Sequence, residues 1–251
     1  MANLLREYPE LRTFELQNVR LTGIRIGSGA YGSVEEGKIS GARCVVKKIH
    51  DIFQDRSEIP QAEMERAAGQ FVEECRLMST LRHPHIVLFL GICVLPGSRL
   101  PALVMERLLT SLHDLLETRP NIPLGLKHSF LYDVAQGLCY LHSRSPPLIH
   151  RDLSARNVLL NSAMTAKIAD LGVARIVPSL RVATMTKAPG ASIYMPPEAL
   201  EDESRYDMTI DIFSLGVVAI FTLTQCFPHK VLAQVYEDQH GRPAIRSELE
   251  R

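Results

Sequence analysis

The chain has 251 residues, and its 28 lysines and arginines balance its 28 aspartates and glutamates, so the formal net charge is zero. This balance gives no sign of a nucleic-acid or membrane-surface binder, and a hydrophobic fraction of 46% is enough for a sizeable core. The five cysteines are scattered, which argues against a disulfide framework and for a reducing compartment. We therefore expect a cytoplasmic protein, or the cytoplasmic domain of a larger one.

The first half of the chain is predicted to form a small sheet with one helix. Residues 1–20 are predicted to be a short polar extension, and strand patterns follow at 21–27, 33–39 and 43–49, with a hairpin turn at Ser40-Gly41. A helix is predicted over 61–81 with an interruption near Gly69. Two further strands are predicted at 86–94 and 102–106.

After Arg107 the pattern becomes helical. Apolar residues at a 3.6-residue period predict a long helix over 126–141 that ends at the prolines 146–147. The segment 170–198 is predicted to be a long loop, and such loops are often functional. The apolar stretch 215–223 is too short for a bilayer, which takes about 20 residues, so we expect a buried core helix and no membrane segment in this chain.

A glycine-rich run covers residues 26–34, Ile-Gly-Ser-Gly-Ala-Tyr-Gly-Ser-Val. Glycines let backbone amides approach phosphate groups without a Cβ clash. In a dinucleotide-binding fold a helix would follow the glycines, whereas a strand and a hairpin are predicted here. For this motif alone, a glycine-rich hairpin without a ligand is the alternative.

Further motifs follow in a fixed order: a strand lysine at 47, a helix glutamate at 74, the loop His150-Arg-Asp-Leu-Ser-Ala-Arg-Asn157, and Asp170-Leu-Gly172. With the glycine run, they resemble the protein kinase signature set from about residue 21 to at least 216. The resemblance implies a bilobal α+β fold. It implies a kinase domain over 21–251, with an N-lobe at 21–106, a hinge at 106–109 and a C-lobe at 110–251.

The resemblance implies that Lys47 holds the ATP phosphates and pairs with Glu74. Lys48 and Glu73 are the rivals for these two roles. Strand alternation places Lys47 on the same face as Val45, and Lys48 on the other face. Glu74 lies one turn before Met78, a core candidate, and should therefore face the sheet.

The resemblance also assigns the chemistry. Asp152 would accept the proton of the substrate hydroxyl, and Asn157 and Asp170 would bind Mg²⁺. Hinge backbone groups would bond the adenine edge, with Met105 behind the pocket and Leu159 beneath the base. The complete set of predicted ATP-binding residues is Ile26, Gly27, Ser28, Gly29, Ala30, Tyr31, Gly32, Val34, Val45, Lys47, Met105, Glu106, Leu108 and Leu159.

The substrate signals are mixed. Ser154 with Arg156 resembles the tyrosine kinase loop, whereas the run from Gly190 to Glu198 resembles the serine/threonine form. The mixture indicates a tyrosine kinase or a member of the tyrosine-kinase-like group, with a slight lean to tyrosine. The chain ends 35 residues after Gly216 (251 minus 216), so we expect a truncated C-terminal lobe or a fragment.

The predicted function is ATP-dependent transfer of a phosphoryl group to a protein Tyr or Ser/Thr hydroxyl, with ATP and Mg²⁺ as cofactors and a protein as substrate. The alternative is a pseudokinase, an ATP-binding scaffold module. Arg151 precedes the catalytic aspartate, a position associated with control by phosphorylation of the activation segment. Thr184 and Thr186 are the candidate phosphorylation sites, and Ser179 is a weaker one.

Overall fold

The computed structural model describes residues 9–29, 32–49, 61–95, 101–171, 175–176, 192–196 and 207–226. The chain divides into two compact units, Met1–Leu108 and Leu109–Arg251. In the described ranges no helix is long and apolar enough to cross a membrane.

The first unit is built on an antiparallel sheet of five strands in the order β1-β2-β3-β5-β4. The strands are β1 (Arg20–Gly29), β2 (Gly32–Ile39), β3 (Ala42–Ile49), β4 (Phe89–Cys93) and β5 (Ala102–Glu106). Ser40 and Gly41, with φ of 48° and 87°, form the predicted turn between β2 and β3. Positive φ at both central residues is what a type I′ hairpin requires.

Helix α1 (Gln61–Thr80) is continuous, so the predicted interruption near Gly69 is wrong. A single glycine inside a helix costs only about 1 kcal/mol relative to alanine, which a 20-residue helix tolerates. Strand β4 begins at Phe89, three residues later than predicted. The backbone N–H of Ile86 is instead used in a turn, where it donates to the carbonyl of His83 at 3.1 Å.

The segment before β1 packs against the sheet, which the polar character of residues 1–20 did not indicate. A 3₁₀ helix, Pro9–Phe14, contains the fully buried Leu11, and the N–H of Leu16 donates to the carbonyl of Ile92 at 2.8 Å. Gly91 permits this approach, because a Cβ there would lie 2.3 Å from the carbonyl oxygen of Phe14. The signal in the sequence was therefore a glycine in a strand rather than a feature of the segment itself.

The two faces of this sheet carry different side chains. Cys44, Val46 and Val104 lie on one face in a buried cluster with Cys93, Leu95 and Ala102. On the opposite face, the register aligns two rows of residues across β2, β3 and β5. These rows are Val34, Lys47 and Leu103, and Glu36, Val45 and Met105.

The second unit is mainly helical. Its elements are β6 (Thr110–Ser111), α2 (Leu112–Thr118), α3 (Leu124–His142), β7 (Leu148–Ile149), β8 (Val158–Leu160), β9 (Ala166–Ile168), β10 (Arg175–Ile176) and α4 (Thr209–Thr224). The strands form one sheet in the order β6-β8-β9 and one pair of β7 with β10.

Helix α3 is the predicted long helix and ends before the predicted prolines. Its core positions Phe130, Val134, Leu138 and Leu141 are all at most 2% exposed, as the 3.6-residue period requires.

Helix α4 contains the stretch 215–223 that was predicted to be a buried core helix. Only one face of it is buried, with Val218 and Phe221 at 0% and 2% exposure. Ile220 and Leu223 on the other face are 40% and 41% exposed. The prediction of full burial is therefore wrong for these two residues, since a run of apolar letters does not say which side of a helix meets the core.

Candidate active site

In the first unit, the structure brings Lys47 and Glu74 together. The Nζ of Lys47 lies 3.7 Å from Oε1 of Glu74, and the two side chains are 12% and 14% exposed. The ion pair forms because β3 directs Lys47 towards the face that α1 covers, and Glu74 belongs to the turn between the buried Phe71 and Met78. An amine held in this way presents a fixed positive charge.

The two rival residues have other partners. Glu73 is exposed and accepts from Arg76 at 2.7 Å, one helical turn away. Lys48 lies on the opposite face of β3 and pairs with Glu35 of β2. Strand alternation therefore distinguished Lys47 from Lys48, and helical spacing distinguished Glu74 from Glu73, in the way that the sequence indicated.

The predicted hinge follows β5 and is fastened to β4. The N–H of Glu106 donates to the carbonyl of Leu88 at 3.0 Å, and the N–H of Leu88 donates to Oε1 of Glu106 at 2.7 Å. Both bonds fix the course of the backbone between Met105 and Leu108. The side chain of Glu106 thus acts on the protein's own backbone, while Leu108 is buried with 4% exposure.

In the second unit, the predicted catalytic loop is ordered by its own side chains. The Nδ2 of Asn157 donates to the backbone oxygen of Asp152 at 2.7 Å and to its Oδ2 at 2.9 Å. The Nδ1 of the buried His150 accepts from the N–H of Asp152 at 3.2 Å, and its Nε2 lies 2.9 Å from the carbonyl oxygen of Ala169. Because Nδ1 accepts from a backbone N–H, Nε2 is the ring nitrogen that donates to the carbonyl of Ala169. The histidine is therefore a structural link between the loop and the residue before Asp170.

Asp211, at the start of α4, is the anchor that the sequence reasoning missed. Its buried carboxylate accepts from the backbone N–H of His150 at 2.8 Å and from that of Arg151 at 2.9 Å. Its Oδ2 also lies 2.8 Å from Nε2 of His142 on α3. Arg151 has a φ of 72°, which a non-glycine residue adopts only when its surroundings hold it. The available signal in the sequence was a charged aspartate within a mainly apolar run, because a charge among buried side chains needs partners.

The electrostatics of the loop favour a basic carboxylate at Asp152. Burial raises the pKa of Asp152, and the negative charge of Asp170 raises it further. His150 and the hydrogen bond from Asn157 act in the opposite direction and lower the pKa without cancelling the rise. A carboxylate with a raised pKa accepts a proton more readily than an exposed aspartate does.

The oxygen atoms near the loop suit a magnesium ion. Because the amide nitrogen of Asn157 is used towards Asp152, its amide oxygen is the atom that could coordinate a cation. Asp170, with a φ of 58°, supplies a carboxylate. Within the described ranges no group of three or more His, Cys, Asp or Glu could hold a metal by itself. This donor set fits Mg²⁺, which usually takes one or two protein ligands together with phosphates and water.

Several predicted residues lie outside the described ones: Ala30 and Tyr31 of the glycine run, Thr184 and Thr186, and the Pro197-Glu198 pair. For the glycine run, the backbone register of β1 and β2 continues to the Gly29–Gly32 pair. Near the end of the predicted loop, the 3₁₀ turn Ser192–Tyr194 is fastened to α4, because the Oγ of Ser214 donates to the carbonyl of Tyr194 at 2.7 Å.

Comparison with known proteins agrees with this arrangement. The sequence model of the family described as protein tyrosine and serine/threonine kinase matches residues 21–240. The chain belongs to this family, which confirms the resemblance and the α+β kinase fold that it implied.

Three relatives illustrate the similarity. The serine/threonine-protein kinase CTR1 of Arabidopsis thaliana is 35% identical over 219 residues, which cover 84% of this chain and 25% of the relative. The dual specificity protein kinases splA and shkC of Dictyostelium discoideum are 32% and 30% identical over 230 and 249 residues. The matches cover 83% and 94% of this chain but 9% and 46% of those relatives. The chain thus spans less than half the length of each of these relatives.

Proposed function

We propose that this chain is an active kinase domain that transfers the γ-phosphoryl group of ATP to a protein hydroxyl. The observation that carries the proposal is the ordered loop in which Asn157 fixes the carboxylate of Asp152 at 2.9 Å, in a chain of the kinase family that also contains the Lys47–Glu74 pair. The proposal includes the lobe boundaries at 21–106 and 110–251, with the hinge at 106–109.

Lys47 would contact the α- and β-phosphates of the nucleotide. Glu74 would keep the ammonium group in place, since a lysine side chain otherwise samples many rotamers. The strand faces support this role, because Val45 and Val34 lie on the same face as Lys47. Hinge backbone groups between Met105 and Leu108 would bond the adenine edge.

Asp152 would orient the substrate hydroxyl and accept its proton as the oxygen attacks the γ-phosphorus. The departing ADP oxygen takes the electrons of the broken P–O bond, so the products are a phosphoprotein and ADP. Asn157 and Asp170 would hold Mg²⁺, which bridges the phosphates and neutralises the charge that develops on them.

For the substrate class, we propose serine or threonine as the main acceptor. The relatives carry serine/threonine and dual specificity names, and these names do not support the slight lean to tyrosine that the loop sequence suggested. Phosphate transfer mainly to tyrosine would contradict this proposal and support the tyrosine preference that the loop sequence suggested.

The test is transfer of labelled phosphate from ATP, with Mg²⁺, to a mixed peptide array, followed by identification of the phosphorylated amino acid. We expect phosphoserine or phosphothreonine with the unmutated protein and no label with Asp152→Asn. Binding of ATP by the unmutated protein without any transfer would contradict the proposal and favour the pseudokinase alternative.

Phosphorylation of the segment after Asp170 would control the enzyme. Arg151 is the candidate receptor, because a phosphate carries about −1.5 to −2 charges and pairs well with arginine. A Thr184→Ala/Thr186→Ala double variant should then lose the activation that ATP preincubation gives the unmutated protein. Equal activation of both proteins would refute this control.

A further inference from the structure

A partly buried ion pair joins the predicted hinge to strand β2. The Nε of Arg107 donates to Oε2 of Glu36 at 3.3 Å, and the two side chains are 28% and 8% exposed. Both residues belong to the first unit. Neither was a site candidate in the sequence, because a glutamate in a strand is usually a solvated residue.

The pair spans a strand. Strands β2 and β5 are not neighbours, since β3 lies between them. The register aligns Glu36 with Val45, and Val45 with Met105, so these three residues form one row on one face of the sheet. Arg107 follows Met105 by two positions, and its guanidinium group contacts Glu36 at the other end of this row. The ion pair therefore lies on the same face as Lys47 and connects the two edges of the proposed adenine pocket that the first unit supplies.

Glu36 is held firmly enough to act as an anchor. The register between β1 and β2 shifts between the Leu21–Gly37 and Arg25–Glu35 pairs, which leaves Glu36 opposite a bulge. The Oγ1 of Thr22 in this bulge donates to the carbonyl oxygen of Glu36 at 3.0 Å. The backbone of Glu36 thus has a partner although the regular ladder is interrupted there.

The hinge is consequently fastened on two sides. Glu106 is bonded to Leu88 of the segment that enters β4, and Arg107 is bonded to Glu36 of β2. We infer that the Glu36–Arg107 pair is a positioning device for adenine recognition. It sets the course of the backbone from Met105 to Leu108 and couples the hinge to the strand that leaves the glycine-rich turn. This inference rests on the proposed nucleotide role of the hinge.

Substitutions of one or of both residues leave different charges in the sheet. Removing Arg107 alone leaves a buried carboxylate without the cation that pairs with it in the described structure, and one orphaned charge is worse than none. The hinge also loses the bond that fastens it to β2, so its backbone can leave the position that it has in the unmutated protein. Replacing both residues with neutral ones, Glu36→Gln with Arg107→Met, removes the charge imbalance, so its effect should be smaller than the product of the two single effects.

The experiment measures the affinity of the full chain for ADP and for inosine diphosphate by calorimetry in the presence of Mg²⁺. Inosine carries a carbonyl where adenine carries an amino group, so the ratio of the two affinities reports on hinge recognition. We expect Arg107→Ala to weaken ADP binding about tenfold, or about 1.4 kcal/mol, and to reduce the preference for ADP over inosine diphosphate. Arg107→Lys, which retains a cation, should keep most of the affinity.

The matched control is the Lys48–Glu35 pair, which also starts from β2 but ends on β3 and lies on the opposite face of the sheet. Lys48→Met should leave both affinities within about twofold of the unmutated protein, since the lost surface interaction is weak and distant from the hinge. If Arg107→Ala does not fold, Glu36→Gln provides the same comparison with an isosteric side chain.

The outcomes separate the two proposals. If the unmutated protein binds neither nucleotide, the proposed function fails and this inference fails with it. If the unmutated protein binds ADP and the Arg107 and Glu36 variants bind with the same affinity and the same base preference, the proposed function stands and the positioning role is refuted. An equal loss for both nucleotides, with an unchanged ratio, would also refute it, because the pair would then act on general stability alone.

Discussion

Replacing Asp211 should lower the stability of the second unit and disrupt the conformation of the catalytic loop. Its carboxylate is fully buried and accepts two backbone hydrogen bonds, from His150 at 2.8 Å and Arg151 at 2.9 Å, besides its contact with His142. In Asp211→Ala the two backbone N–H groups would be buried without an acceptor. The loop could relieve this only by moving away from the conformation in which Asp152 is held.

The expected loss in the free energy of unfolding follows from the number of hydrogen bonds that the substitution removes. A hydrogen bond to a charged group contributes roughly 1.5–3 kcal/mol, and neighbouring bonds are not additive. We therefore expect Asp211→Ala to lower the free energy of unfolding by about 4 kcal/mol, which is a fall in Tm on the order of 10 °C. Asp211→Asn retains one acceptor oxygen, and its loss should be about half as large.

The assay combines thermal unfolding with the rate of phosphoryl transfer. The matched control is Asp207→Asn, at an exposed position two residues before the same helix, where the side chain accepts from the N–H of Thr209 at 2.8 Å. Asparagine keeps a side-chain oxygen that can accept the bond from Thr209, so this variant should unfold within about 1 kcal/mol of the unmutated protein. An Asp211→Ala protein with unchanged stability and unchanged activity would refute the reasoning.

Three further predictions follow from the same structure. Gly91→Ala should release the segment 9–16 from the sheet, because its Cβ would lie 2.3 Å from the Phe14 carbonyl oxygen, and proteolysis before residue 20 should become faster; Gly125→Ala, which has open space, should not have this effect. Lys47→Met should weaken ADP binding, whereas Lys48→Met should not, and equal losses would contradict the assignment. Asp152→Asn should reduce transfer by roughly 10²–10⁴ without lowering stability at pH 7. Burial raises the folded pKa of Asp152, so ionisation costs stability as pH rises through the window between the unfolded and the folded pKa. Asparagine carries no charge and avoids this loss, so the variant should be at least as stable as the unmutated protein at pH 7. This advantage should disappear below the unfolded pKa, and a variant that is less stable at pH 7 would contradict the predicted direction of the effect.

The sequence predicted the five strands of the first unit and the helices α1, α3 and α4 because their signals are local, but it did not predict α2 or the short strands of the second unit. Alternation separated Lys47 from Lys48, and helical spacing separated Glu74 from Glu73, before any contact was known. The turn at Ser40-Gly41 was also evident, since few other residues adopt positive φ at low cost.

What the sequence could not predict depends on contacts between distant positions. The role of Asp211 requires knowing that the start of α4 meets a loop some 60 positions earlier. Likewise, Glu36 and Arg107 are 71 positions apart, and no periodicity links a strand residue to a hinge residue. The packing of Leu11 and Leu16 was missed because short segments without a period give no burial signal.

The most direct test of the central claim is a comparison of phosphate transfer by the unmutated protein and by Asp152→Asn under identical concentrations of Mg²⁺ and ATP. The amounts of phosphopeptide and of ADP that form would both be measured, and transfer should produce them in equal amounts. Binding of ADP to both proteins would be measured by calorimetry. We predict that both proteins bind ADP with similar affinity and that only the unmutated one produces phosphopeptide. If both bind ADP and neither transfers phosphate, or if both transfer it at the same rate, the assignment of Asp152 as the residue that accepts the hydroxyl proton is contradicted.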